Sequence, residues 1–228
     1  MLILFDIDMT LLSTGGSGMR SIVEAGRALH GESFSAEGVG FAGRLDPLIF
    51  SEVLVRNGVA DTEEEHARLR REYAVRLERR LAGGAARALP GVMALLTELE
   101  RRPVTLGVLT GNFEETGSMK LRSAGIEPAR FAVRVWGDES PHRPPRREHL
   151  VPVGMERACA VRGSVLRGEE VVVIGDTPGD VACARAHGCR SVGVATGQYG
   201  VDKLAEAGAG LVVRDLSDLR GVLSWIGF

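Results

Sequence analysis

The stretch LILFDIDMT, Leu2–Thr10, decides how the fold is read. Its first four residues are apolar without alternation, as in a strand covered on both faces, and such strands belong to parallel sheets. The run then breaks into two carboxylates one residue apart, Asp6 and Asp8. Acids beside a buried strand are costly unless something offsets their charge. Capping of a following helix, cation binding and covalent chemistry each supply such an offset, and other parts of the chain must choose among them.

The chain has 228 residues, of which 44% are hydrophobic, enough for a substantial core in one large domain or in a medium domain with an insert. A formal net charge of −2 gives no basic field, which argues against nucleic acid and for a small soluble partner. The three cysteines, Cys159, Cys183 and Cys189, lack a C-x-x-C spacing and read as reduced core thiols. With no basic leader and no apolar run long enough to cross a bilayer, the expectation is a cytoplasmic protein that does not engage a membrane. Oligomeric state is not legible.

Working outward from Leu2–Thr10, short Val-, Ile- and Leu-rich runs recur at Val104–Leu109, Val133–Trp136, Val171–Ile174, Ser191–Ala195 and Leu211–Val213. Helical patterns separate them at Gly91–Arg101, Glu114–Ala124, Arg147–Val161, Pro178–His187 and Ser217–Trp225. This alternation predicts an α/β fold with a Rossmann-like parallel sheet. Between Ser13 and Ala86 no convincing strand is found. Ser17, Asp46-Pro47 and Asp61 are instead expected to start three helices, and the charged run Glu63–Arg80 reads as a solvated helix face. Residues 14–86 are therefore expected to form a helical unit inserted after the first strand, with 1–13 and 87–228 making the sheet domain. GGSG, Gly15–Gly18, and AGGAARALPG, Ala82–Gly91, are its expected hinges.

Ligands of open parallel sheets sit beyond the carboxyl ends of the strands. Three strand ends are chemically unusual: Asp6-Ile7-Asp8-Met9-Thr10, Thr110-Gly111-Asn112, and Gly175-Asp176-Thr177-Pro178-Gly179-Asp180. Singly, each has a plain structural explanation, since Asp176 or Thr177 before Pro178 suits a helix N-cap, and Thr110 or Asn112 another. Together, Asp6, Asp8, Asp176 and Asp180 would repel one another unless a cation sits among them or some carry protons. A hard divalent ion such as Mg²⁺, which combines a few carboxylates with water and phosphate oxygens, resolves that conflict.

The ordered set DIDMT, TGN and GDTPGD, with a helical insert after the first motif, resembles the haloacid dehalogenase superfamily, in particular its phosphoglycolate-phosphatase-like Mg²⁺-dependent phosphatases. The resemblance covers essentially the whole chain. It implies that Asp6 is a nucleophile toward phosphorus, that Asp8 is the general acid and then base, and that Thr110 with the Gly111 and Asn112 amides holds phosphoryl oxygens. Thr10 belongs to the same expected substrate-contacting set. It also implies Mg²⁺ held by Asp6, Asp8 through its backbone carbonyl, and Asp176, with Asp180 at that shell. The family requires a cation near the nucleophile, for which Arg143, Arg146, Arg147 and Lys120 are candidates, Arg147 being preferred. Met9 departs from the family's commoner glycine. The insert resembles the family's cap, in which GFAGRLDP would bring Arg44 and Asp46 to the substrate, although Asp46 equally suits a helix cap with Arg44 packed at the hinge.

The implied activity is hydrolysis of a small phosphorylated metabolite, phosphoglycolate being the resemblance-based example. A phosphosugar mutase would share Asp6 and Asp8. A carbon–halogen hydrolase would not need the acidic pair Asp176 and Asp180. A receiver-type signalling domain would be much shorter and lack the insert, and no G-x-G-x-x-G follows the first strand for a dinucleotide. The five histidines show no metal-ligand spacing and receive no role.

Overall fold

A computed structural model describes residues 1–228. The chain begins with β1 (Leu2–Phe5) and β2 (Leu12–Ser13), then runs through three helices, α1 (Ser17–His30), α2 (Asp46–Arg56) and α3 (Glu63–Ala82). After β3 (Arg87–Ala88) come α4 (Val92–Glu100), β4 (Thr105–Leu109), α5 (Glu114–Ser123), β5 (Val133–Val135) and α6 (Leu150–Arg162). The chain closes with β6 (Val171–Gly175), α7 (Pro178–Arg185), β7 (Arg190–Val194), α8 (Val201–Glu206), β8 (Leu211–Val213) and α9 (Leu219–Ile226).

Six strands form one parallel sheet in the order β5-β4-β1-β6-β7-β8. β1 lies between β4 and β6, with Phe5 level with Val108 on one side and Ile174 on the other. The three chemically unusual strand ends are thereby neighbours, because the chain order reverses at β1 and opens a crevice there. Alternate residues of β1 serve opposite faces: Ile3 and Phe5 pack with α4, α5 and α9, while Leu2 and Leu4 pack with α6 and α7. All four are fully buried, and such side chains each contribute about 1.5–3 kcal/mol. This two-sided burial is why the run is apolar without alternation.

Helices α1, α2 and α3 add no strand to the large sheet. They enclose a core of their own, including Ile22, Phe50, Val53, Tyr73 and Leu77, which Phe113 joins from the loop before α5. The short antiparallel pair β2–β3 joins the segment leaving the sheet to the one returning, a pairing the sequence did not signal because each strand has only two residues.

Two of the three expected helix starts shift. Gly16, in the left-handed region, is the N-cap of α1, and the Ser17 hydroxyl donates back to Thr14 O at 2.7 Å instead of capping. Met19, in the first turn of α1, is 46% exposed. Thr62, not Asp61, caps α3 by accepting from the Glu65 amide. α2 does begin at Asp46-Pro47, with proline where its missing N–H costs nothing. The Glu63–Arg80 run is more than a solvated face, since Arg70 pairs with Glu115 and Asp138 across to the sheet domain and lies over the Phe113 ring at 3.8 Å. Helix α8 was not anticipated. Cys159, Cys183 and Cys189 are free thiols, and no helix is long and apolar enough to cross a membrane.

Candidate active site

Asp6 follows β1 directly, its amide donating to Ile174 O at 2.9 Å, so its position is fixed by the sheet itself. The chain then turns sharply. Met9 has φ 58°, in the left-handed region that disfavours side chains, which accounts for glycine being commoner there. Its amide bonds Leu12 O at 2.7 Å and its carbonyl accepts from the Thr196 hydroxyl, so the surrounding structure over-determines the strained turn.

The acidic residues separate into two groups, each with its own cation. Asp6, Asp176 and Asp180 are buried and offer carboxylate oxygens within 4.8 Å of one another. Arg147, in the short turn before α6, places Nη2 2.8 Å from Asp6 Oδ1 and 2.6 Å from Asp180 Oδ1. Asp180 Oδ2 accepts from the Thr177 amide and hydroxyl, and Thr177 in turn caps α7, so Thr177 is the N-cap and Asp176 is left for the site. Thr10 is fully buried beneath, donating to Asp176 Oδ1 at 3.3 Å, and does not face the cavity as expected.

The Asp8 carboxylate stands apart from this trio. Its Oδ2 accepts from Lys120 Nζ at 2.6 Å and from Asn112 Nδ2 at 2.8 Å, while Lys120 also binds Asn112 Oδ1 at 2.6 Å. Asn112 Nδ2 reaches Thr110 Oγ1 at 2.8 Å, so the β4 strand end is locked onto Asp8. Of the cation candidates, Arg147 thus faces Asp6 and Lys120 faces Asp8; Arg143 and Arg146 are exposed. The ambiguity in sequence arose because two cations are present with different partners.

Burial raises the pKa of Asp6 to about 6 against the opposing pull of Arg147, and raises that of Asp176 to about 8 with further help from the charges of Asp6 and Asp180. One guanidinium among three buried acids leaves an excess of negative charge, and the donors are all hard carboxylate oxygens. This set fits a divalent cation.

The helical unit closes over the strand ends. The Asp46 amide donates to Gly111 O at 2.7 Å, and its carboxyl accepts from the Phe113 amide at 3.3 Å. Gly111 is required here: a Cβ would sit 2.0 Å from Arg44 O. Burial raises the pKa of Asp46 to about 7, with Lys120 pulling the other way. Arg44 is engaged with Glu52 at 2.5 Å while still lining the cavity. The enclosed space is a cavity of about 650 Å³ reached by Asp6, Asp8, Thr110, Arg147, Asp176 and the helical unit. Sequence reading missed Tyr73, Gln198 and Tyr199 in its wall, for which only the α3 core pattern and a loop after β7 stood as signals.

The sequence model of the haloacid dehalogenase-like hydrolase family matches residues 3–185, a span that holds all three strand-end motifs. The chain belongs to this family. It is 32% identical over 173 residues to the phosphoglycolate phosphatase of Rhodospirillum rubrum, a match covering 74% of this chain and 64% of that protein. The chain thus spans just under two thirds of that relative's length. Among solved structures, a hydrolase from Pseudomonas syringae is similar with TM-score 0.73 and 25% identity over 99% of this chain and 98% of that one. CbbY from Rhodobacter sphaeroides in complex with phosphate shares the fold, with TM-score 0.76 at 21% identity over 96% and 95% of the two chains.

Proposed function

We infer that this member of the haloacid dehalogenase-like hydrolases is a Mg²⁺-dependent phosphomonoester hydrolase whose substrate is a small phosphorylated metabolite. The observation that carries the reading is the division of the acids: Asp6 with Arg147 and Asp176 on one side, Asp8 with Lys120 and Asn112 on the other. An attacking group and a proton-moving group need separate surroundings, and here each has its own.

In this mechanism a carboxylate oxygen of Asp6 attacks phosphorus as the ester P–O bond breaks, giving an aspartyl-phosphate. Asp8 gives its proton to the departing oxygen; Lys120 and Asn112 hold Oδ2, which leaves Oδ1 to carry that proton. Asp8 then takes a proton from water as the water attacks phosphorus, and the bond to Asp6 breaks. Arg147 positions Asp6 and stabilises charge, and Thr110 with the amides that follow it binds phosphoryl oxygens. Asp6, Asp176 and the Asp8 carbonyl would hold Mg²⁺, with Asp180 orienting Arg147 behind them. When bound, the ion neutralises the phosphoryl oxygens. Helices α1, α2 and α3 act as a cap that excludes water. Phosphoglycolate is the first substrate to try, because the R. rubrum relative is a phosphatase of that ester.

The direct test is phosphate release from a panel of small phosphoesters including phosphoglycolate, with Mg²⁺ and with chelator. Release only with the metal is expected; transfer of the phosphoryl group to a second sugar hydroxyl instead of water would replace this reading with that of a mutase.

A pH dependence follows from the same carboxylates. In the metal-free protein the pKa values of Asp6 and Asp176 are raised, so protonation stabilises the fold: the contribution is full below the ordinary carboxylate range and is lost as pH rises through about 6 and about 8. Mg²⁺ binds the ionised form and acts in the opposite sense. Thermal unfolding is therefore expected to show a larger Mg²⁺-induced rise in Tm at pH 8 than at pH 5. Equal rises at both would separate the metal from these acids.

A further inference from the structure

The cavity over the strand ends has two walls of different chemistry. Its floor comes from the sheet domain and holds Asp6, Asp8, Thr110, Arg147 and Asp176. Its roof comes from the helical unit and is lined by Met19 and Ile22 of α1, Val39 and Phe41 of the loop that follows, and Ile49 of α2. Ile22 and Ile49 belong to the core of that unit, while Val39 and Phe41 pack against it and keep part of their surface open. Met19 joins no core and is 46% exposed. One exposed apolar side chain needs no explanation, but several that meet at a cavity mark a binding surface.

Three cations reach the cavity, and each already faces a carboxylate. Arg147 is held by Asp6 and Asp180, and Lys120 by Asp8. Arg44, the cation of the roof, is paired with Glu52 at 2.5 Å and donates to Gly40 O at 3.1 Å, so it braces the loop that carries Val39 and Phe41. Asp46 is the acid of the roof; its carboxyl accepts from the Phe113 amide, and burial raises its pKa to about 7. An anionic group under the roof would therefore meet apolar surface and an acid, with no free cation to offset its lost hydration. A hydrocarbon group would instead gain by leaving water. The volume of about 650 Å³ lies within the roughly 300–1,000 Å³ of sites that take drug-sized ligands, and a two-carbon acid would leave much of it unfilled.

We propose that the roof is a subsite for an uncharged, apolar leaving group: the preferred substrate is a phosphomonoester of a hydrocarbon alcohol, its phosphoryl group at the floor and its apolar part against Met19, Val39 and Phe41. This rests on the phosphatase reading and narrows it, ranking phosphoglycolate below such esters.

The test is a series of unbranched alkyl phosphates, ethyl, butyl and hexyl, with phosphoglycolate alongside, on the Mg²⁺-loaded protein. Their alcohols are nearly equal as leaving groups, so chain length reads contact with the roof and not reactivity. The kcat/KM is expected to rise by up to about fourfold for each added methylene, the gain from burying one, and hexyl phosphate is expected to exceed phosphoglycolate. Met19→Gln and Val39→Thr, which nearly preserve side-chain size, should flatten the rise, with melting curves checking that both are folded. Calorimetric binding of the same esters to Asp6→Asn, with and without Met19→Gln, reads the roof without turnover; affinity should rise with chain length and the heat-capacity change become more negative. If no ester releases phosphate, the phosphatase reading falls, while a chain-length dependence of binding that Met19→Gln weakens still supports the subsite. Binding and turnover that do not rise with chain length, a rise that neither variant reduces, or a preference for phosphoglycolate over hexyl phosphate overturns it.

Discussion

Asp6→Asn is expected to fold as the parent does and to lose turnover by at least about 10³-fold, the scale seen when a nucleophile that works with its partners is removed. Asparagine preserves the shape of the side chain and can still accept from Arg147, whose Nη2 lies 2.8 Å from Asp6 Oδ1. It also removes one negative charge from a buried trio that has a single cation, so the lost ion pair is offset by relief of repulsion with Asp176 and Asp180. The metal-free variant should therefore melt within a few degrees of the parent. An amide nitrogen cannot attack phosphorus as the carboxylate oxygen does, and no other carboxylate of the trio is placed to substitute: Asp180 has both oxygens engaged, and Asp176 is bonded to Thr10. Steady-state phosphate release at saturating Mg²⁺ checks the first part and thermal unfolding the second. A folded variant with substantial activity would remove Asp6 from the nucleophilic role.

The parts of the fold legible in the sequence were those in which one residue pattern has one structural solution. Leu2–Phe5 had to be covered on both faces, and the alternation of apolar runs with helical periods left a parallel sheet as the architecture that can bury them. The convergence of DIDMT, TGN and GDTPGD followed from strand ends sharing one edge. The pairing of charges did not follow, because Lys120 lies ten residues beyond Thr110 and reaches Asp8 only through the way α5 packs, whereas Arg147 reaches Asp6 from a short turn that the sequence reads as the start of a helix. Capping was equally opaque. Asp61 and Thr62 are both acceptable N-caps, and so are Asp176 and Thr177; backbone geometry selected the threonine each time. Tyr73 lies on the buried face of α3 with Leu69 and Leu77, and periodicity reports which face is buried but says nothing of where a hydroxyl points.

Arg147→Met is expected to be the most damaging single change to the sheet domain that leaves the apolar core intact. Methionine replaces much of the side-chain volume, so the effect isolates the charge. Arg147 is 8% exposed, and its Nη2 touches Asp6, Asp180 and, at 3.4 Å, the carbonyl of Leu109. Removing one member of a buried ion pair typically costs about 3–5 kcal/mol because the partner charge is stranded, and here two partners are stranded with Asp176 close by. For a chain of this size that corresponds to a fall in Tm on the order of 10 °C. The deficit should depend on pH with a definite sign: the pKa values of Asp6 and Asp176 already lie above the ordinary carboxylate value, and losing Arg147, which lowers both, raises them further. Protonation then relieves the strain, so the variant should approach the parent near pH 5 and fall furthest behind above pH 8. Mg²⁺ supplies positive charge at the same acids and should recover part of the lost Tm at pH 8, but not the turnover, because it replaces the charge of Arg147 without restoring its hold on the Asp6 oxygen. Melting curves at the two pH values, with and without Mg²⁺, separate these contributions; a deficit independent of pH would mean that Arg147 stabilises the protein by packing instead of by charge.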